Sequence, residues 1–352
     1  MNRRWIKFLW IAAVLLTMCS CNKAETVPKE EPQAFSDDGS EDKRPEKVLK
    51  LAMTKNEDSD MVKAANKLSS LVFEETDGRV LIEIYPDSSL GDQTQFLRGM
   101  ELGTVEMCLV SMGTLEDFDP YFSMLGPVFV IEDEEHATAI YESETGKKIL
   151  KKLEEKTGLI SLAEVYEGYR NIWSKEPIED ISDLKGLKIR VPESDLLFQT
   201  FSRLGAQPVP LAWNEVYPSL QAGAIDAVEN DMESIVNNRI YNAAPYCTET
   251  RHLFSDCNFM ITQKAMDALN EEEQEILRRS SKEAGDYAKQ LYKEHQEANI
   301  EFLKEQGVVF RRLGAEERKR AEAIIDRTNR EYIAERGIEE DIEVFKSLRK
   351  NQ

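Results

Sequence analysis

The residues best suited to bind a small molecule stand in the middle of the chain. Residues 187–192 (Leu-Lys-Ile-Arg-Val-Pro) and 204–210 (Leu-Gly-Ala-Gln-Pro-Val-Pro) predict two short buried strands, each bounded by a Pro or Gly breaker and each leading into a helix. Arg190 therefore stands at the carboxyl end of a strand, the edge of an open α/β sheet where ligands bind. Because a guanidinium grips a carboxylate through two parallel hydrogen bonds, a small anion held between two lobes is the expected ligand.

Arg190 has an ordinary structural alternative. Glu193 and Asp195 follow within five residues, so the arginine could also be a surface residue paired with one of them. The two possibilities differ in energy, since an exposed ion pair contributes only about 0–1 kcal/mol. The residue types by themselves leave both open.

The elements that must position this arginine alternate between strand and helix. From residue 48 onward the pattern is β-α-β-α-β, which predicts the start of a mostly parallel sheet. Further on, two strands that run between lobes precede a second α/β unit. The predicted segments are strands 48–53, 80–85, 105–110, 159–166 and 169–174, helices 61–72, 93–102 and 133–155, and the α/β unit 187–221.

A long helix is predicted near the end of the chain. Asn270 is an N-cap with Glu273 at the third helical position, and no proline interrupts the segment before about Gln306. Its apolar stripe keeps helical spacing, and at 1.5 Å per residue it is about 50 Å long, enough to span two lobes. An ordinary surface helix on one lobe is the alternative. Residues 315–349 predict two more amphipathic helices.

Composition excludes one class of partner. The chain has 352 residues and a formal net charge of −21, and removal of residues 1–20, which hold three cations and no acid, leaves −24. Binding a nucleic-acid backbone requires clustered positive charge, so nucleic acid is not an expected partner. Strong acidity suits solubility outside the cell.

The first twenty residues predict a targeting segment. Arg3, Arg4 and Lys7 precede a short apolar run that ends at Ser20-Cys21, with a small residue just before a cysteine. This is similar to a bacterial lipoprotein signal, with Cys21 as the lipidated first residue. Cys19 is a weaker candidate, because the large Met18 precedes it, and an ordinary cleaved signal peptide is the alternative. Residues 21–46 are rich in Glu, Asp, Lys, Pro and Ser and predict a disordered acidic tether.

The sequence contains few motifs that indicate an enzyme or a metal site. The chain lacks the nucleophile elbow, the P-loop, the dinucleotide-binding glycine motif and the metalloprotease motif, and its three histidines are not spaced for a metal. We therefore expect no catalytic residue, no metal and no cofactor. Besides Cys21, the mature chain has Cys108, Cys247 and Cys257; the last two could pair, or all three could be buried free thiols.

Several dispersed motifs together resemble the extracytoplasmic solute receptors of TRAP transporters, the DctP family. Gly168-Tyr169-Arg170-Asn171 precedes the Lys-Ile-Arg-Val-Pro run, and the Pro-x-Pro and Asp-x-x-Glu-Asn stretches follow in the family's order. The resemblance covers roughly residues 47–340. It implies a two-lobed α/β fold of the periplasmic-binding-protein type, with mixed, mostly parallel sheets and a long helix spanning both lobes.

The resemblance also implies which side chains contact the ligand. Arg190 matches the family's carboxylate ligand, Arg170 a second arginine facing the ligand, and Asn230 an asparagine that hydrogen-bonds the carboxylate. Ala227 and Asp231 depart from the family's usual Gly and Pro beside Asn230. An interdomain salt bridge is the alternative role for Arg170.

A second group of candidates would cover the ligand. Trp213 matches an aromatic residue of the family's ligand loop, with core packing as its alternative, and Tyr217 shares its helical face. Thr54, Gln93 and Ser111 fall where the first lobe presents polar groups. Ser111 stands where the sialic-acid branch has a glutamate, so a C4-dicarboxylate, a 2-oxo acid or a sugar acid is the better expectation.

The implied organisation assigns residues 47–167 and about 256–295 to lobe I, and 168–255 and about 296–352 to lobe II. The implied function is capture of a small organic acid outside the cell, by a receptor tethered to the membrane, and its delivery to the membrane subunits of an ion-gradient-driven permease. An extracytoplasmic enzyme acting on acidic sugars and a ligand-presenting adaptor of a sensor kinase are the alternatives.

Overall fold

The computed structural model describes residues 44–117 and 127–349. The signal segment, Cys21 and nearly all of the predicted tether lie outside these described residues. The strands are β1 Lys47–Ala52, β2 Val80–Tyr85, β3 Met107–Ser111, β4 Leu159–Ser174, β5 Lys188–Val191, β6 Gln207–Pro210, β7 Ala227–Asn230, β8 Tyr246–Thr262 and β9 Val309–Arg312. The helices are α1 Asp60–Glu75, α2 Gln93–Leu102, α3 Glu134–Glu142, α4 Glu144–Thr157, α5 Asp195–Arg203, α6 Val216–Ala222, α7 Met232–Asn237, α8 Gln263–Asp267, α9 Glu271–Glu305, α10 Ala315–Arg336 and α11 Glu339–Ser347.

One mixed sheet runs through these residues, in the strand order β2-β1-β3-β8-β4-β7-β5-β6, with β9 paired to β8. The sheet has two halves, β2-β1-β3 and β7-β5-β6. The short strands within each half pair in parallel, as the alternation of strands and helices predicts. The two long strands β4 and β8 pair with each other in antiparallel fashion and join the halves. The sequence predicted two separate strands, 159–166 and 169–174, where β4 is continuous.

Irregular pairing in the middle of β4 explains that difference. The register between β4 and β8 shifts between Tyr166 and Gly168 and again between Arg170 and Ile172. Gly168 has φ +94°, and a Cβ at this position would overlap the ring of Tyr292. Only glycine suits such a backbone, so the break in the strand pattern marks a bulge and not a strand end.

The long helix forms as its cap predicts. Asn270 Oδ1 accepts a hydrogen bond from the Glu273 backbone N–H, and the Glu273 carboxylate accepts one from the Asn270 backbone, a complete capping box. Leu277 and Ala284 belong to the apolar cluster under β1 and β2, whereas Leu303 belongs to the cluster around Trp173. Because α9 contributes to the cores of both halves, it spans them.

The segment 133–155, predicted as one helix, forms two. Ser143 has extended backbone angles, and its hydroxyl accepts a hydrogen bond from the Gly146 backbone N–H, so it starts α4 as an N-cap. A serine inside an apolar-periodic run gives little warning of this break. The C-terminal helix α11, which the prediction grouped with lobe II, shares an apolar cluster with α2 and α3. The backbone carbonyl of Phe345 in α11 also lies 2.7 Å from His136 Nε2 in α3.

The cysteines of the described part are buried free thiols. Cys247 and Cys257 cannot form a disulfide, because they stand ten residues apart in the extended strand β8, at about 30 Å. Within residues 44–117 and 127–349, no helix combines the length and the apolar composition that a membrane crossing needs.

Candidate functional site

A cavity of about 120 Å³ opens at the junction of the two halves. By the same measure one water molecule needs about 10–15 Å³, so the space suits a small organic molecule. It lies at the carboxyl ends of β1, β3, β5 and β7 and against the irregular middle of β4 and β8, as expected for a ligand of an α/β sheet. Seven of the eight predicted ligand residues line it: Thr54, Gln93, Ser111, Arg170, Arg190, Trp213 and Asn230.

Tyr217 is the exception. It is not among the residues that line this cavity. It is half-buried against the apolar cluster around Val216 and Leu220 instead. Trp213, four residues earlier in a short 3₁₀ turn, reaches both environments, since it contacts the same cluster and also lines the cavity.

Arg190 is a buried cation held by a backbone carbonyl. The side chain is 4% exposed, and its Nε and Nη2 both donate to the Leu211 carbonyl oxygen, at 2.9 and 2.7 Å. The guanidinium carbon lies 5.4 Å from the centre of the Trp213 ring. Burial lowers the pKa of Arg190 to about 9, and the attraction of Glu229 does not compensate. The alternative for Arg190, a surface pairing with Glu193 or Asp195, does not occur among the described residues.

Arg170 also lines the cavity but already has an anionic partner. Its Nε and Nη2 donate to the two carboxylate oxygens of Glu229, at 2.5 and 2.6 Å, and Nη2 donates to the Glu229 backbone oxygen. His252 Nε2 lies 3.2 Å from the same carboxylate. Burial raises the pKa of Glu229, but Arg170 more than offsets this, and the pKa falls to about 2. The arginine therefore makes a buried salt bridge, but with a residue of its own predicted lobe, whereas its alternative role was a salt bridge between the domains.

A lysine and a glutamate that the sequence did not single out also line the cavity. Lys55 follows Thr54 in the loop after β1, and its Nζ lies 2.5 Å from Glu167 Oε1 on β4. The Ser255 hydroxyl donates to Glu167 Oε2, and the Cys257 thiol lies 3.2 Å from Oε1. Burial raises the pKa of Glu167, and the attraction of Lys55 and Arg170 brings it down to about 2. The sequence offered one signal for the role of Glu167, which is its position three residues before Arg170.

Asn230 is positioned by its own backbone. It ends β7, pairs in register with Asn171 of β4, and its carbonyl oxygen accepts a hydrogen bond from Trp173 Nε1 at 3.1 Å. Asp231, the departure from the family's proline, is the N-cap of α7 and accepts a hydrogen bond from the Ser234 backbone N–H. The substitution thus keeps a helix start directly after the candidate ligand residue.

The part of the cavity wall formed by α2 and the end of β3 is uncharged and hydrogen-bonding. Asp92 and Gln95 form the capping box of α2, which places Gln93 in the first turn of that helix. Gln93 Oε1 accepts hydrogen bonds from the Ser111 backbone N–H, at 3.0 Å, and from the Thr114 hydroxyl, at 2.8 Å. Its amide nitrogen has no hydrogen-bond acceptor among the described residues.

Two more carboxyl groups line the cavity. Burial raises the pKa of Asp256 to about 7, although the Tyr141 hydroxyl donates to its Oδ2. Glu193 lies 3.5 Å from the Thr94 hydroxyl on α2. The described residues contain no group of His, Cys, Asp or Glu side chains suited to a metal ion. The arrangement offers an anion one buried arginine without an acidic partner, together with neutral hydrogen-bonding groups.

Comparison with known proteins identifies the family. The model of the bacterial extracellular solute-binding proteins, family 7, the DctP family, matches residues 51–336. The chain belongs to this family. The resemblance to the solute receptors of TRAP transporters and the two-lobed fold are thereby confirmed.

Individual relatives agree with the family. The chain is 32% identical over 246 residues to the 2,3-diketo-L-gulonate-binding periplasmic protein YiaO of Escherichia coli, covering 70% of this chain and 75% of that one. It is 29% identical over 297 residues to the C4-dicarboxylate-binding periplasmic protein DctP of Rhodobacter capsulatus, covering 83% and 88%.

A solved structure shows the same fold with a ligand. The TRAP periplasmic solute-binding protein of Roseobacter denitrificans with bound L-galactonate is 29% identical and superposes with a TM-score of 0.79, covering 87% of this chain and 99% of that one. The family and this neighbour are solute-binding proteins, and neither alternative function finds support in the comparisons.

Proposed function

We propose that this DctP-family receptor captures a small organic carboxylate in the cavity between its lobes and that Arg190 is the anchor of the carboxylate. One observation carries the proposal: Arg190 is a buried guanidinium on the cavity wall with no carboxylate partner among the described residues. An unpaired buried charge is costly, so the cavity favours an anion that completes the pair.

The candidate ligands are a C4-dicarboxylate, a 2-oxo acid and a sugar acid. The relatives in E. coli, Rhodobacter capsulatus and Roseobacter denitrificans bind diketogulonate, C4-dicarboxylates and galactonate, which are all carboxylates. The neutral wall formed by Thr54, Gln93 and Ser111 suits a hydroxylated acid, because these groups can exchange hydrogen bonds with hydroxyls. The receptor binds and releases this acid without chemical change and delivers it to a membrane permease.

Closure of two lobes around the middle of β4 and β8 would trap the ligand. Lobe I comprises residues 47–167 and about 256–295, together with α11, and lobe II the remainder from 168 onward. Three hydrogen bonds already join the loop after β1 and the start of α1 to α7: Asn56 Nδ2 to the Asn237 oxygen at 2.9 Å, Lys55 Nζ to Ser234 Oγ at 3.3 Å, and the Asp60 N–H to Glu233 Oε1 at 2.7 Å. Ligand contacts that add to this set would favour the closed form.

Membrane tethering through Cys21 completes the proposal. A diacylglyceryl anchor with any amino-terminal acyl chain would supply the multiple chains that stable attachment needs. Cys21→Ser should abolish labelling by a fatty-acid probe in cells that make the protein. Undiminished labelling of the variant contradicts the anchor and leaves the binding proposal intact.

The ligand is tested directly. Protein purified under gentle conditions is denatured and the released small molecules are identified by mass spectrometry; each acid found is then titrated calorimetrically into ligand-free protein. We expect an organic acid whose binding reduces the radius of gyration in solution scattering. A neutral or cationic ligand, or saturating binding with an unchanged radius, contradicts capture by closure on an acid.

A further inference from the structure

The charged side chains that line the cavity are not equally available to a ligand. Within the part of the chain that the structure describes, three are cationic, Lys55, Arg170 and Arg190, and three are carboxylic, Glu167, Glu193 and Asp256. Arg170 is neutralised from behind the wall by the bidentate contact with Glu229. A ligand carboxylate near Arg170 therefore meets a cation whose charge is already balanced.

Lys55 is balanced in the same way, but by a residue of the cavity itself. Its ammonium lies 2.5 Å from Glu167 Oε1 and 3.3 Å from the Ser234 hydroxyl. Glu167 receives hydrogen bonds from Ser255 and Cys257 as well, so its carboxylate is held in place on both oxygens. Glu167 is the carboxylate that pairs directly with Lys55, so the pair has no net charge and Lys55 has no direct ion pair to offer a ligand.

The other carboxyl groups oppose a second anion. Asp256 lines the cavity and accepts a hydrogen bond from the Tyr141 hydroxyl. Glu193 also lines the cavity and lies near the Thr94 hydroxyl of α2. Asp231 attracts Lys55 without a direct ion pair, and its Oδ2 is buried without a hydrogen-bond partner. A like charge set against such groups in a buried site weakens binding strongly. Among the described residues that line the cavity, only Arg190 is left to balance a ligand charge.

We propose that the ligand carries a single carboxylate, with uncharged hydrogen-bonding groups over the rest of the molecule, and that Glu167 enforces this selection by neutralising Lys55. This inference rests on the proposed function, since it presumes that Arg190 binds an acid. It excludes C4-dicarboxylates and favours monoacids rich in hydroxyl groups. The neutral groups available to such a ligand include Thr54, Gln93, Ser111, Thr114, Ser194 and Asn230.

The first experiment compares acids that share a carbon chain and differ in one terminal group. Galactonate and galactarate, gluconate and glucarate, and butyrate and succinate are titrated calorimetrically into the ligand-free wild-type protein at pH 7.5. In each pair whose monoacid binds, the diacid should bind at least about 100-fold more weakly. This comparison requires no variant and is independent of any effect of mutation on folding.

The second experiment converts the selection. Glu167→Gln keeps the shape of the side chain and removes its charge, so Lys55 becomes available to a second carboxylate. The diacid penalty should shrink by at least about tenfold. Glu164→Gln is the matched control, because Glu164 also lies on β4 and pairs with a lysine, Lys289, but neither residue lines the cavity. The control should keep the wild-type preference.

The outcomes separate the two proposals. A diacid that binds as tightly as its monoacid in the wild-type protein, or an unchanged preference in a folded Glu167→Gln variant, overturns the single-carboxylate inference while capture of an acid by Arg190 stands. Binding of neither acid in any pair, together with release of a non-acidic ligand from the purified protein, overturns the proposed function and the inference with it.

Discussion

Arg170 and Arg190 are two arginines on the wall of one cavity, and their surroundings differ. Arg170 lies on the irregular part of β4, and its guanidinium donates two hydrogen bonds to the Glu229 carboxylate. His252 lies beside the same carboxylate. Arg190 lies at the end of β5 and donates to the Leu211 carbonyl, with the Trp213 ring near its face. Both are almost completely buried.

The difference shows that burial and cavity lining do not by themselves identify a ligand residue. A buried cation with a carboxylate partner is satisfied, and its removal leaves an uncompensated charge on the partner. A buried cation that meets only a carbonyl and an aromatic ring lacks a counter-ion. The first arrangement stabilises the folded structure, whereas the second can bind an anion. Mutation of Arg170 should therefore mainly lower stability, and mutation of Arg190 should mainly lower affinity for the ligand.

The largest expected effect is on the stability of the Arg170 region. Arg170→Met should lower the free energy of unfolding by about 3–5 kcal/mol, because it leaves Glu229 buried and unpaired. Arg190→Met should change it by only about 1 kcal/mol or less, since the lost hydrogen bonds are offset by removal of an unpaired buried cation. Urea unfolding of ligand-free protein measures both. Equal losses in the two variants would erase the distinction between the arginines.

The next effect is on affinity at Arg190. Arg190→Ala should weaken binding of the identified acid by about 2–5 kcal/mol, which is roughly 30-fold to several-thousand-fold in Kd. Arg190→Lys keeps the charge and loses the planar fork, so it should recover only part of the affinity. Calorimetric titration decides: wild-type affinity in the alanine variant rules out the anchor, and full affinity in the lysine variant rules out a bidentate contact.

The pH dependence of stability sharpens the comparison between paired and unpaired carboxyls. Glu167 and Glu229 have pKa values lowered from 4.5 to about 2, so they contribute stability above pH 4.5 that is lost as the pH falls toward 2. Asp256 and Glu233 have pKa values raised to about 7 by burial, so stability is lost as the pH rises toward 7. The free energy of unfolding should therefore be highest near pH 4.5.

Two variants test this assignment. Asp256→Asn and Glu233→Gln should each flatten the decline in stability between pH 4.5 and 7 without changing the decline below pH 4.5. A wild-type stability maximum at neutral pH, measured by urea unfolding across the range, would contradict the raised pKa values.

The smallest expected effect lies on the neutral wall. Gln93→Ala removes one uncharged hydrogen-bonding side chain and should weaken acid binding by about 0.5–1.5 kcal/mol, roughly 2-fold to 13-fold in Kd. Gln95→Ala, in the same helix turn but outside the cavity, is the control for an altered capping box. If Gln93→Ala weakened acid binding as much as Arg190→Ala, Arg190 would not be the main anchor of the ligand.

Local signals predicted much of the fold. The helix Gln93–Leu102 and the strand Val80–Tyr85 have the bounds that the sequence predicts, and Asn270 starts the long helix as its capping box indicates. Such features depend on neighbours within four residues, so they can be found in the printed sequence. Apolar periodicity did not reveal the break at Ser143, because one serine cap fits inside a helical pattern.

Sequence alone indicated the family, many of the strands and helices, and seven of the side chains that line the cavity, because caps, strand ends and motifs are local. The tertiary structure decided how those side chains are used. Arg170 pairs with Glu229, which is 59 positions away in the chain. Lys55, in the loop after β1, pairs with Glu167 of β4. Charge neutralisation acts through space, so only the folded arrangement distinguishes the arginine that holds the structure from the one left for the ligand.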